Sequence, residues 1–165
     1  MQISELSDPQ IDTFIKNYRA RDAAVGGKFP LSELLLEQKR RIVSPFPPDE
    51  TAKTIVRLAH HSPDGLVSYK DVWEIFRPGK VWTGNAPRSE MAKALGRVIA
   101  FCIDGGLPII STLVVRSGSR DHSDEAITNI YNEAKSLDLV VGPDPKAFVL
   151  DQQSKARQLA LDWKS

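Results

Sequence analysis

The chain has one cysteine and three histidines in 165 residues, and a formal net charge of +1. Each scarcity excludes something. A lone Cys102 cannot form an internal disulfide, so an oxidising compartment is neither required nor suggested. Among the histidines, His60 and His61 are neighbours, and on a helix they point about 100° apart, so they cannot both face one metal ion. With only His122 elsewhere, no metal site is expected. A charge near zero creates no global field toward nucleic acid or an acidic membrane, so any polyanion must be met by a local cluster. No apolar run approaches the ~18 residues of a membrane span. The opening MQISELSDPQ has neither the basic start nor the apolar stretch of a secretion signal, and a cytoplasmic location is expected. No glycine loop has a recognised phosphate-binding spacing, and no cofactor is expected. Asp64 with Lys70 and Asp71 falls in a turn and a helix rather than on the paired strands of a metal-dependent nuclease. Cys102 lies on an apolar helical stripe, where a thiol behaves as a small hydrophobe. No catalytic residue is assigned, and the chain is expected not to be an enzyme.

What is present is the balance of an ordinary globular protein, 41% hydrophobic and 26% charged. Ser7-Asp8-Pro9 is a helix start, and Ile11, Phe14, Ile15 and Tyr18 form one apolar stripe after it. A second helix is predicted from near Pro30, its last turn closed by Lys39-Arg40-Arg41, where positive charge suits the helix dipole. Pro45, Pro47 and Pro48 then break the chain. They divide it into an N-terminal helical arm, residues 1–44, and a main domain, residues 45–165. The alternative is a tight turn inside one compact unit.

The main domain is predicted to open with a helix from about Asp49 to His61, followed by the turn Ser62–Gly65 and a short extended Leu66-Val67. Ser68 then caps a short helix. The strongest helix signal runs from Pro87 to Asp104, with Met91, Leu95, Val98, Ile99 and Cys102 at helical spacing. Ile109–Val115 is β-branched and reads as a buried strand. A helix over about Ser123–Leu137, two short strands at Leu139–Val141 and Ala147–Leu150, and a last amphipathic helix complete an α+β reading.

Residues 49–120 thus run helix, short strand, helix, loop, helix, strand, polar loop. That is the order of a winged helix-turn-helix, whose third helix enters the DNA major groove and whose wing touches the backbone. The polar face of the third helix carries Arg88, Ser89, Lys93 and Arg97. The wing position, Arg116-Ser117-Gly118-Ser119-Arg120, combines cations with small hydroxyl donors, which suits phosphate. For both groups the alternative is an ordinary solvated surface. Tyr69 and Trp82 are candidate interaction residues, since a large aromatic in a glycine-bounded loop is often a contact. The alternative for Trp82 is a lid folded back on the core.

Three segments resemble one family. Leu66-Val67-Ser68-Tyr69-Lys70-Asp71-Val72 resembles the V-T-T-Y-G-x-[IL]-A segment of the DNA-binding domain of O6-alkylguanine-DNA alkyltransferases and alkyltransferase-like proteins. Met91–Gly96 resembles that family's A-R-A-V-G, and Leu107–Gly118 resembles its I-P-C-H-R-V-V-x-S-x-G. The resemblance covers about 55 of 165 residues. It implies a winged-helix DNA-binding domain. It does not imply alkyl transfer, because the family's P-C-H-R is Ile110-Ser111-Thr112-Leu113 here, without the thiol or the adjacent histidine. The arginine that props the base stack corresponds to Lys93.

The expected function is therefore a non-catalytic DNA-binding or DNA-associated module that uses the third helix and the wing. The alternative is a protein-interaction accessory module of phage or plasmid type on the same scaffold. An exposed apolar face on the N-terminal arm would add a homodimer.

Overall fold

A computed structural model describes residues 1–22 and 26–164. Its elements are α1 (Asp8–Ala20), α2 (Leu31–Arg40), α3 (Pro48–His60), β1 (Val67–Ser68), α4 (Tyr69–Phe76), α5 (Asn85–Asp104), β2 (Val114–Val115), α6 (Asp124–Ser136) and α7 (Pro145–Leu161), with 3₁₀ turns at Ile3–Glu5 and Ile110–Leu113. The helices start where local chemistry caps them. The hydroxyls of Ser7, Ser68 and Ser123 and the carboxylate of Asp144 accept from free amides at the starts of α1, α4, α6 and α7.

The α+β expectation is overturned. Among the described residues the only sheet is a two-residue parallel pair, Val67 beside Val114 and Ser68 beside Val115, and the rest of the regular structure is helical. The expected strand Ile109–Val115 is mostly a 3₁₀ turn. Thr112 turns its hydroxyl back to Ile109 O at 2.6 Å, and its carbonyl accepts from His122 Nε2 at 2.7 Å and Gln153 Nε2 at 2.9 Å instead of joining a ladder. Leu139–Val141 is irregular, and Ala147–Leu150 belongs to α7. Among the described residues no strand follows β2 to make a wing hairpin, so residues 116–121 form a turn and the winged-helix architecture is not built.

Two hydrophobic clusters organise the chain. One joins α3, α4 and α5 with both strands and the end of α7. The other joins Ile11, Ile15, Tyr18, Leu34 and Leu35 of the arm to Ile99, Ile109, Ile130, Phe148 and Val149. The arm's apolar stripe, Ile11, Ile15 and Tyr18, is thus buried within the chain. The proline segment is a turn within this packing. Phe46 is fully buried, its ring centroid 5.3 Å from Phe76 and 5.8 Å from Trp73. The segment lies against α5, and that placement shapes the candidate site.

Candidate nucleic-acid interface

Helix α5 follows Gly84, whose φ of 84° suits a residue without a side chain. No side chain caps the helix start, so the amides of Asn85 and Ala86 lack a capping acceptor, while Pro87 has no N–H to offer. The apolar stripe Met91, Ala94, Leu95, Val98 and Cys102 is buried, which turns the opposite face outward. On that face Asn85, Arg88, Ser89, Ala92 and Lys93 are exposed, and a side chain placed on Gly96 would meet open space. Glu90 lies off this face and pairs with Arg77 at 3.5 Å. Among the described residues Arg88 and Lys93 have no ion-pair partner. The predicted residues Arg88, Ser89 and Lys93 therefore sit together on an open surface. Asn85 and Ala92 also belong to it, though their residue types are unremarkable on a helix.

Arg97 does not join that surface, contrary to the sequence expectation. It is only 7% exposed and bends under the proline segment, where Nη2 donates to Ser44 Oγ at 2.6 Å. Burial lowers its pKa, opposed by the charge of Glu90.

The turn after β2 differs again. Arg116 donates to Asp121 Oδ1 from both Nε and Nη2, at 3.1 and 2.6 Å, and Ser119 donates to the same oxygen. Arg120 is held more firmly. Its Nε donates to Asp64 Oδ2 at 2.9 Å, and its Nη2 donates to Asp64 Oδ1 at 2.8 Å and to Leu66 O at 2.9 Å. Hydrogen bonding from Arg120 holds the Asp64 carboxyl well below the usual carboxylate range. Arg120 also adopts φ 55°, a left-handed conformation rare outside glycine, and the clamp holds it there. Ser117 is exposed. The turn predicted to hold phosphate is thus neutralised largely by its own acid and by Asp64.

Tyr69 and Trp82 form part of an aromatic lid. Their rings stack with centroids 6.5 Å apart, and Trp82 lies 5.5 Å from the buried Trp73. Trp73 is tied to the loop by Nε1 donating to Lys80 O at 3.0 Å. Burial raises the Tyr69 pKa, against the nearby charge of Arg116. Both predicted interaction residues are half-buried, so most of their area serves packing.

Cys102 is buried, and its thiol is pushed up to about 11, which leaves it protonated and unreactive at neutral pH. His60 Nδ1 donates to Ala160 O at 2.8 Å, and no group of three or more potential metal ligands occurs among the described residues. No helix of the described residues is long and apolar enough to cross a membrane. Comparison with protein-family models finds none that matches, and comparisons with curated proteins and with solved structures likewise return no match.

Proposed function

We propose that this protein is a non-catalytic DNA-associated module that meets duplex DNA with the exposed face of α5. One observation carries the reading. Over its first three turns this face holds two unpaired cations, an amide and small residues, with no carboxylate. Phosphates need cations for affinity, and free amides at a helix start add donors aimed outward. The small residues Ser89, Ala92 and Gly96 let the helix approach a groove closely, and Arg88 and Asn85 have the donor geometry to read base edges.

A protein-interaction role is the second reading. A specific observation favours it: both cations of the turn after β2 are already paired, and Val43 in the neighbouring segment is 99% exposed.

Fluorescence anisotropy with labelled duplex separates the two. Two or three phosphate contacts from Arg88, Lys93 and one further cation give a log–log salt slope of about −2 to −3. Undetectable binding at about 50 mM salt, where even non-specific affinity is strengthened, would leave the protein-interaction reading.

A further inference from the structure

Arg97 differs from every other cation in the α5 region. It is 7% exposed, yet no carboxylate among the described residues pairs with it. Its Nε is buried with no acceptor, and the one bond it makes is from Nη2 to a neutral hydroxyl. Glu90 acts on this charge only through space and makes no hydrogen bond to it, so the buried guanidinium keeps N–H groups for a partner that arrives from outside.

The surroundings point to the kind of partner. Ser44 Oγ accepts from Arg97 Nη2 at 2.6 Å and from the Phe46 amide at 3.1 Å. With both lone pairs occupied, its own O–H is left to donate, and it has no acceptor among the described residues. Lys93 stands one turn before Arg97, so the four-residue spacing places the two on one side of α5. Lys93 is exposed and Arg97 is buried. The hydroxyl of Ser44 and the guanidinium of Arg97 are in hydrogen-bond contact, and the Lys93 ammonium belongs to the same side of the helix. This is a donor set for a compact anion with several acceptor oxygens.

We propose that Arg97, Ser44 and Lys93 form a receptor for a single phosphate group, and that a backbone phosphate fills it when DNA lies on α5. The receptor follows from the Arg97–Ser44 contact and the spacing of Lys93. Only the source of the phosphate rests on the DNA reading given above. A backbone phosphate is favoured over a peptide carboxylate because the outer face of α5 beside it carries Arg88 and Lys93, while Glu90 on the Arg97 side is paired with Arg77, so the strand's next phosphates also find cations.

The test uses the full chain. Thermal melting in sodium phosphate is compared with sodium chloride at matched ionic strength, for wild type, Arg97→Gln and Ser44→Ala. An anion that binds only the folded state raises the melting temperature. The expected result is a phosphate-specific rise in wild type that Arg97→Gln abolishes and Ser44→Ala reduces. Ser44→Ala keeps the buried charge and so still reports if Arg97→Gln fails to fold. Duplex binding by the same proteins gives the second arm, in which Arg97→Gln flattens the salt slope by about one. A wild type insensitive to phosphate, or an equal rise in all three proteins, overturns the receptor. An Arg97-dependent rise with an unchanged salt slope overturns the backbone assignment. An Arg97-dependent rise in a protein that binds no duplex upholds the receptor for free phosphate and defeats the DNA reading.

Discussion

The outer face of α5 and the turn after β2 are built from the same residue types, arginine, serine and a small spacer, yet they end in opposite states. In the turn, the chain doubles back within five residues, so Arg116 meets Asp121 and the Arg120 amide donates to Arg116 O. The parallel pairing of β1 with β2 then carries the turn over the Ser62–Leu66 segment, where Asp64 waits for Arg120. On α5 the backbone is straight, and only residues three or four apart can meet. The one carboxylate in its first three turns, Glu90, goes to Arg77 instead. Whether a cation is available to a ligand is therefore decided by which acids the topology delivers to it. The local motif does not decide it.

The largest expected effect separates these two regions. Arg120→Ala removes a two-toothed contact to Asp64 and a bond to Leu66 O. Charge-assisted bonds of this kind contribute about 1.5–3 kcal/mol when shielded, and less where solvent screens them. Since about a third of the Arg120 side chain is exposed, a loss of about 1–2 kcal/mol in urea denaturation is expected. The salt slope for duplex should stay unchanged. Lys93→Ala should do the reverse, with stability within about 0.5 kcal/mol of wild type. Its salt slope should be flatter by about 0.9. If Arg120→Ala flattens the slope while the protein remains folded, the turn contacts DNA after all and the contrast between the regions is wrong.

The same contrast explains what the sequence could show. Caps and stripes are local, so the helices beginning after Ser7, Ser68 and Ser123 were legible from a few neighbouring residues. Asp144-Pro145 reads in sequence as a turn and the apolar run Ala147–Leu150 as a strand, yet together they begin α7. Its helical spacing shows only when Phe148 and Val149 are read with Ala156 and Ala160. Ile109–Val115 satisfies every compositional rule for a strand. It fails because the Thr112 carbonyl is claimed by His122 and by Gln153, side chains 10 and 41 residues away. Arg97 reads as a surface residue because its helical position allows it, and what covers it is a segment 53 residues earlier. The Arg120 clamp spans 56 residues. The candidate site was thus legible where one helix suffices, at Arg88, Ser89 and Lys93, and illegible wherever a second segment intervenes.

A smaller effect comes from pH. His122 is buried behind the turn, its Nε2–H donating to Thr112 O while Nδ1 has no partner among the described residues. Burial lowers its pKa from the ordinary 6.5, against the opposing pull of the Thr112 bond and of Asp121. Below pH 6.5 the unfolded chain therefore takes up a proton that the folded chain declines. Stability is full above that value and falls as the pH drops toward the folded pKa, by less than about 1.4 kcal/mol per pH unit. Asp64 acts in the same direction but lower, because its depressed pKa confines its loss to pH below about 4. Urea midpoints measured from pH 7.5 to 5 should fall in wild type and flatten in His122→Gln. Because the histidine supports the turn and not α5, the dependence of duplex binding on Lys93 should be the same at pH 6 and pH 7.5. A dependence that changes would mean that the two regions are coupled.

The smallest expected effect falls at Ser111. This residue takes the place of the reactive cysteine in the resemblance to alkyltransferases, so any inherited chemistry would have to run through it. Its hydroxyl is buried and has no hydrogen-bond partner among the described residues, and no base activates it. A buried polar group without a partner carries a desolvation cost and returns nothing. Ser111→Ala should therefore leave stability unchanged or raise it, by no more than about 1 kcal/mol. Duplex affinity and its salt slope should match wild type, since Ser111 lies inside the 3₁₀ turn and away from the open face of α5. A clear loss of stability would show that the hydroxyl has a partner in solution. A loss of duplex binding at full stability would extend the interface from α5 to the segment leading into β2, and the division between an available region and a self-satisfied one would have to be redrawn there.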